Sequence, residues 1–304
     1  MKIIMVHGIN QSDKDPETLK KIWIDAFLEG IFQAQIPDVL GNAKFELVFY
    51  GDLVKKYMRK PVSYKSLLDL QTRGLHAFLE NTGELCSNEQ QVLINIAEQI
   101  EEEANIGYQD QLSIDAISKN LKSILSPTTL TDRFAKAIVK ITSHYQKLHT
   151  WVLKLFAKEA NLFLHNEQYR MEIRKLLLSK IKEEADEEIV LVGHSLGSVA
   201  CLDALQHLES QFKIARFVSL GSPLGIPIFY NFFEHRDKPA ALIGDWINFY
   251  AADDFVSAYL LSNPPFNVSP EIKNLRANTQ YFQPHHIVGY LDDVHVGKTI
   301  LGIP

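Results

Sequence analysis

Cysteine is scarce in this 304-residue chain: Cys86 and Cys201 are the only two, they lie far apart, and they form no CxxC pair. That argues against a disulfide-stapled scaffold and against a cysteine-rich zinc site. Basic charge is not in excess either, with 31 Lys and Arg against 37 Asp and Glu and a net charge of −6. A general nucleic-acid binder carries a basic footprint, so nucleic acid is not an expected partner. Long apolar runs are missing. The first, Ile3–Val6, has four residues, against about 7–15 for the core of a secretory signal and about 18 for a membrane span. These absences lead to the expectation of a soluble, cytoplasmic protein with reduced thiols. Fifteen Gly and twelve Pro are too few for a collagen-like or low-complexity chain. What is abundant is apolar residues, at 46%, enough to build one large core or two modest ones.

Ile3–Val6 is β-branched, uninterrupted and closed by His7-Gly8, the pattern of a strand buried on both faces. Leu19, Ile22, Trp23, Ala26 and Phe27 recur at helical spacing over 17–32, and Phe45–Tyr50 is a second strand. From about Met171 the same rhythm returns: a helix, the strand Glu188–Val192, a helix over 197–209, then strands at Ala215–Leu220, Trp246–Tyr250 and Thr279–Phe282, and a helix around 292–301. Alternating strands and helices predict a mostly parallel sheet covered on both faces. Between Leu53 and Arg174 no strand pattern is visible and apolar residues recur at three and four, as in Phe134, Ile138, Ile141, Tyr145, Leu148, Val152 and Leu155. The organisation predicted is an α/β core formed by 1–52 and 175–304, with a helical insertion at 53–174. Within the insertion, residues 84–110 carry seven acids and no Lys or Arg, whereas 133–164 carry six bases and one acid. Two helices with complementary outer faces account for this; a basic face that touches anionic lipid is the alternative. Oligomeric state is not legible.

The chemistry is concentrated in Gly193-His194-Ser195-Leu196-Gly197, a Gly-x-Ser-x-Gly pentapeptide that follows the apolar strand Ile189-Val190-Leu191-Val192 and precedes an apolar helix. A serine on so sharp a strand-to-helix turn stands clear of the sheet. Glycines flank it because strand and helix backbones approach closely there.

In these features the chain resembles the α/β-hydrolase superfamily, in particular its bacterial lipase/esterase-like serine hydrolases. The residues that carry the resemblance are Ile4-Met5-Val6-His7-Gly8, the Gly-His-Ser-Leu-Gly elbow, and Gly221-Ser222-Pro223 one strand later. It covers about 1–52 and 175–304 and leaves the insertion unmatched. The resemblance implies a Ser, Asp, His order along the chain. It also implies hydrolysis of carboxylic esters through an acyl-enzyme, no cofactor, and an oxyanion hole from the N–H groups of Ile9 and Leu196. Active-site groups of a parallel sheet lie beyond the carboxyl ends of its strands. That position and the Asp-x-Val turn select Asp254, with Asp253 as its competitor. For the base, His286, which precedes Tyr290-Leu291 and follows the last predicted strand, is preferred over its neighbours His285 and His295. His7 and His194 read as positioning groups. A metal site among His285, His286, Asp292, Asp293 and His295 fits no recognised ligand spacing, so none is expected.

Serine is inert without a base, and the base needs an orienting group; candidates for all three distinguish an enzyme from a binding module that merely keeps the scaffold. Thioesterase, amidase and acyltransferase activities use the same elbow and remain alternatives. The insertion leaves the sheet after Gly51-Asp52, at a strand's carboxyl end. It is therefore expected to form a cap, with Trp151, Leu155 and Phe156 walling an apolar acyl pocket.

Overall fold

The computed structural model describes residues 1–36, 40, 43–58, 85–104, 137, 141, 150–183, 187–257, 259–279 and 284–303, with 95, 96, 98–104 and 150–155 as backbone only. The chain divides into two compact units, Met1–Tyr57 with Glu167–Pro304, and Met58–Asn166. The first unit thus reaches further into the middle of the chain than the predicted 1–52 and 175–304. Two helices straddle the expected boundaries, α2 (Gly51–Tyr57) and α5 (Glu167–Glu183).

The first unit contains six strands, β1 (Lys2–Val6), β2 (Lys44–Val48), β3 (Ile189–His194), β4 (Ile214–Leu220), β5 (Leu242–Tyr250) and β6 (Lys273–Arg276). They form one sheet in the order β2-β1-β3-β4-β5-β6, with every neighbouring pair parallel. This is the α/β-hydrolase architecture that the sequence predicts. Uninterrupted apolar runs belong at the centre of such a sheet, and β1 and β3 are buried along their whole lengths. From β1 the chain crosses to β2 on one side and then returns to place β3 on the other. The carboxyl ends of β1 and β3 therefore flank the point where the strand order reverses, the place where parallel sheets bind ligands. The last strand differs from the prediction: it is Lys273–Arg276 rather than Thr279–Phe282, of which 280–282 lie outside the described residues.

Alternation along the strands divides the side chains between two faces. Ile3, Met5, Val190, Val192, Val218, Leu220, Ile247 and Phe249 share a core with Trp23, Phe27 and Ile31 of α1 (Pro16–Gln33). The same core includes Tyr290 and Leu291 of α8 (Ile287–Leu291), and Val296 and Ile300 of α9 (Val294–Leu301). Asp15 caps α1, its carboxylate accepting from the Thr18 N–H and hydroxyl, each at 2.8 Å. The terminal helix expected around 292–301 is α9, which starts where Asp293 caps it by accepting from the N–H groups of His295 and Val296; α8 is a separate short helix before it. On the opposite face lies α6 (Leu196–Gln206). It is tied to α5 by a bidentate pair, Arg174 Nε and Nη2 each 2.8 Å from the carboxylate of Asp203. After β4 come a 3₁₀ turn (Pro223–Gly225) and the short α7 (Pro227–Tyr230).

Where the chain leaves and re-enters the first unit, α2 and α5 are clasped together. Glu172 accepts from Lys56 Nζ at 2.8 and 2.9 Å and from the Tyr57 hydroxyl at 2.6 Å, and the Tyr57 and Tyr169 rings meet edge on, 5.8 Å apart. In the second unit α3 (Ser87–Ala104) packs on α4 (Thr150–His165), with Val92, Leu93, Phe156, Ala160 and Phe163 buried. The acidic and basic stretches expected to face one another, 84–110 and 133–164, lie largely outside the described side chains. No described helix is long and apolar enough to cross a membrane.

Candidate active site

The strand-to-helix turn after β3 is built to present one residue. Ser195 has φ 53° and ψ −131°, a backbone conformation that costs a non-glycine residue about 1–3 kcal/mol and survives only where surroundings enforce it. Here its N–H donates to Leu220 O at 2.9 Å, and its carbonyl accepts from Ser198 twice, through the N–H at 2.9 Å and the hydroxyl at 2.6 Å. The Ser198 hydroxyl lies 2.7 Å from that of Ser222, which also accepts from Leu224 N–H. Ser222 of Gly221-Ser222-Pro223 thus braces the elbow from the neighbouring strand.

Two close approaches explain two of the glycines. A Cβ on Gly197 would stand 2.4 Å from the carbonyl oxygens of both Val6 and His7, and one on Gly8 would stand 2.5 Å from Ser195 Cβ. The loop after β1 therefore passes directly beside Ser195. Its Ile9 N–H and the Leu196 N–H at the start of α6 donate to no acceptor among the described residues. Both are donors, the polarity that any oxyanion would require, and Leu196 stands at the positive end of an eleven-residue helix.

Downstream, His285 rather than His286 faces the serine. His285 Nε2 is 2.8 Å from Ser195 Oγ, and its Nδ1 is 2.8 Å from Asp254 Oδ2. His286, preferred from the sequence, is the N-cap of α8, where its Nδ1 accepts from Val288 N–H at 3.3 Å. One residue of register decides the matter: His285 lies in the turn before α8, whereas the side chain of His286 is spent capping that helix. Asp254 is buried, whereas its rival Asp253 is exposed. His295 is exposed on α9. Of the residues expected to wall an acyl pocket, Trp151 and Leu155 lie outside the described side chains, and Phe156 is buried on α4.

The sequence family described as lipase (class 3) matches residues 118–259, a span that includes Ser195 and Asp254. This chain is similar to that family over a little less than half of its length, which supports a lipase-like serine hydrolase of the α/β-hydrolase superfamily. It is an ester-hydrolysing enzyme. No curated protein matches it, and no solved structure does. The matched span ends before His285, so the histidine that bridges Ser195 and Asp254 lies outside it.

Around that relay, three further histidines are held neutral. Burial lowers His7 to about 4, and the ring bridges two backbone groups: Nδ1 donates to Gly8 O at 2.8 Å and Nε2 accepts from Tyr50 N–H at 3.0 Å. The Tyr50 ring stacks on it at 4.0 Å while its hydroxyl donates to His7 O. Burial also pushes His194 well below its usual range, and its Nε2 holds the backbone carbonyl of His285 at 3.0 Å. Burial brings His286 to about 4. No group of three or more His, Cys, Asp or Glu that could hold a metal occurs among the described residues.

The sequence reading missed the groups behind Asp254. The Tyr290 hydroxyl donates to Asp254 Oδ2 at 2.6 Å, Ser257 Oγ lies 3.1 Å from the same oxygen, and Val256 N–H donates to Oδ1 at 3.0 Å. An aspartate followed two residues later by its own amide partner is an Asx turn, a signal present in Asp254-Phe255-Val256. Nothing in the sequence marks Tyr290 as the buried donor that meets it.

Proposed function

We propose that this hydrolase cleaves carboxylic esters with an apolar acyl group through a covalent acyl-enzyme on Ser195. In this reading His285 Nε2 takes the Ser195 proton as Oγ attacks the acyl carbon, and returns it to the leaving alkoxide as the tetrahedral intermediate collapses. Asp254 keeps the Nδ1–H tautomer in place and stabilises the imidazolium that forms. Ile9 and Leu196 N–H groups receive the oxyanion. Water, deprotonated by the same imidazole, then releases the acid. The observation that carries the proposal is the unbroken series from Ser195 Oγ to His285 to Asp254, with 2.8 Å at both links. Apolar neighbours favour an apolar acyl group: Ile9, Leu196 and Phe255 are buried beside the relay, the Phe255 ring 6.2 Å from that of His285.

A fluorophosphonate probe tests the nucleophile and the base together. Labelling of the wild type that disappears in Ser195→Ala and falls by orders of magnitude in His285→Ala supports the reading; labelling that survives Ser195→Ala refutes it. A series of p-nitrophenyl esters from acetate to palmitate, run beside matched thioesters and anilides, then fixes acyl length and leaving group.

A further inference from the structure

Asp254 makes more contacts than orienting a histidine requires. Its Oδ2 lies within hydrogen-bond distance of three donors at once: His285 Nδ1 at 2.8 Å, the Tyr290 hydroxyl at 2.6 Å and Ser257 Oγ at 3.1 Å. The Tyr290 and Ser257 oxygens are themselves 2.9 Å apart, and Ser257 also accepts from Ala251 N–H. Tyr290, Ser257 and Asp254 are all buried. A phenol packed into the core at 2.6 Å from a carboxylate is a charge-assisted donor of the strong, short kind. It is placed there by α8, whose cap is His286, and Tyr290 follows by five residues the histidine that uses the carboxylate. Gly221, at φ +56°, leaves the room: a Cβ there would stand 3.0 Å from Asp254 Oδ2 and 3.1 Å from the Tyr290 ring.

We propose that Tyr290, seconded by Ser257, is a positioning residue of the catalytic relay that sets the basicity of His285 by competing with it for Asp254 Oδ2. The inference rests on the assignment of Ser195, His285 and Asp254 made above. The physical step is simple. Each hydrogen bond donated to Oδ2 draws away part of its negative charge, so the carboxylate stabilises the His285 imidazolium less than an unshared one does. The imidazole is thereby kept free to accept the Ser195 proton at a lower pH, and the carboxylate is fixed with Oδ2 toward the ring.

The surroundings leave His285 as the group whose titration is read. It is faced by Asp254 from the turn after β5, with Tyr290 of α8 behind that carboxylate, and by His194 from the end of β3. His286 is its chain neighbour; beyond these, His7 acts on His194 and Lys14 on His286. Burial holds His7, His194 and His286 below their usual range, and it holds Tyr290 well above its own, so these groups keep their charge between pH 5 and 9. Tyr290 therefore stays a phenol, a donor, across the window.

The test is the pH dependence of kcat/KM for p-nitrophenyl butyrate between pH 5 and 9 in wild type and Tyr290→Phe. Loss of the donor returns charge to Oδ2, so the acid limb is expected to move up by about 0.5–1 pH unit. KM should stay within about twofold, because the phenol touches no substrate, while kcat on the plateau falls by about tenfold or less. An acid limb that stays within about 0.2 units of wild type, or moves down, overturns the proposal. Should Tyr290→Phe fail to fold, Ser257→Ala removes another donor from the same oxygen and carries the test, with the same direction and criterion. Fluorophosphonate labelling separates the two levels. If wild-type labelling is not abolished by Ser195→Ala, the triad assignment has failed; if it is abolished and the limb is unmoved, the role of Tyr290 alone has failed.

Discussion

Acid should loosen this protein well before its carboxylates titrate, and His7 gives the scale. The ring is buried at 1% exposure, spends both nitrogens on backbone groups, and is lowered from 6.5 to about 4. Its folded value lies below its unfolded one, so the fold favours the neutral ring. That contribution is fully present above pH 6.5 and is lost as the pH falls from 6.5 toward 4. A shift of this size corresponds to about 3 kcal/mol in all, of which about 2 kcal/mol should disappear between pH 7 and pH 5. His286 and His194 are displaced in the same direction and steepen the loss. Urea unfolding followed by the fluorescence of Trp23 and Trp246, both in the first unit, measures it at pH 7, 6 and 5. Replacing His7 by Gln keeps an acceptor for Tyr50 N–H and removes the titration. Between pH 7 and pH 5 the wild type should lose about 2 kcal/mol more than His7→Gln. Parallel losses in the two proteins would refute the account, whatever their stabilities at neutral pH.

Three further outcomes follow from contacts already described. His285→Ala should lower ester turnover by about 10³–10⁴-fold or more, whereas His286→Ala should stay within a few-fold and lose about 1 kcal/mol or less of stability as a weakened cap; turnover assays with the reverse ranking would restore the register preferred from the sequence. Gly8→Ala puts a methyl 2.5 Å from Ser195 Cβ, and fluorophosphonate labelling should fall sharply in a protein whose far-UV circular dichroism is unchanged. Arg174→Ala leaves the buried Asp203 carboxylate without its bidentate partner and should cost about 3 kcal/mol in urea unfolding, most of it recovered in the double variant Arg174→Met with Asp203→Leu.

The centre of the fold is legible in the sequence because burial on both faces leaves an unbroken apolar run, as in Ile3–Val6 and Ile189–Val192. The edge is not. Lys273-Asn274-Leu275-Arg276 has no apolar alternation, since an edge strand half open to water needs none; its place is fixed by pairing with β5 and by Asn274, whose side chain bonds both backbone groups of Leu261. The stretch Thr279–Phe282, which starts six residues later and ends in two aromatics, drew the prediction instead. Ser195 is legible for a different reason: its strained turn demands glycines at fixed spacing. Asp254 follows from its position after a strand. The base does not, because His285 and His286 are adjacent and the start of α8 decides which of them caps a helix. Tyr290 was visible as part of a Tyr-Leu pair, yet its role depends on a meeting of α8 with the turn after β5, thirty-six residues away, which no local pattern encodes.

The clasp of α2 and α5 at Glu172 has a consequence for how such a chain can change over generations. Tyr57 and Tyr169 touch although more than a hundred residues separate them, so the span between them begins and ends at nearly one point in space. A segment tethered that way can be lengthened, shortened or traded for another without stretching the sheet, because loop-closure entropy grows only with the logarithm of length. The two halves of the sheet are joined to each other before they are joined to anything carried on the span. Residues 58–166 could therefore be exchanged as a unit without displacing the sheet and the loops that hold Ser195, Asp254 and His285.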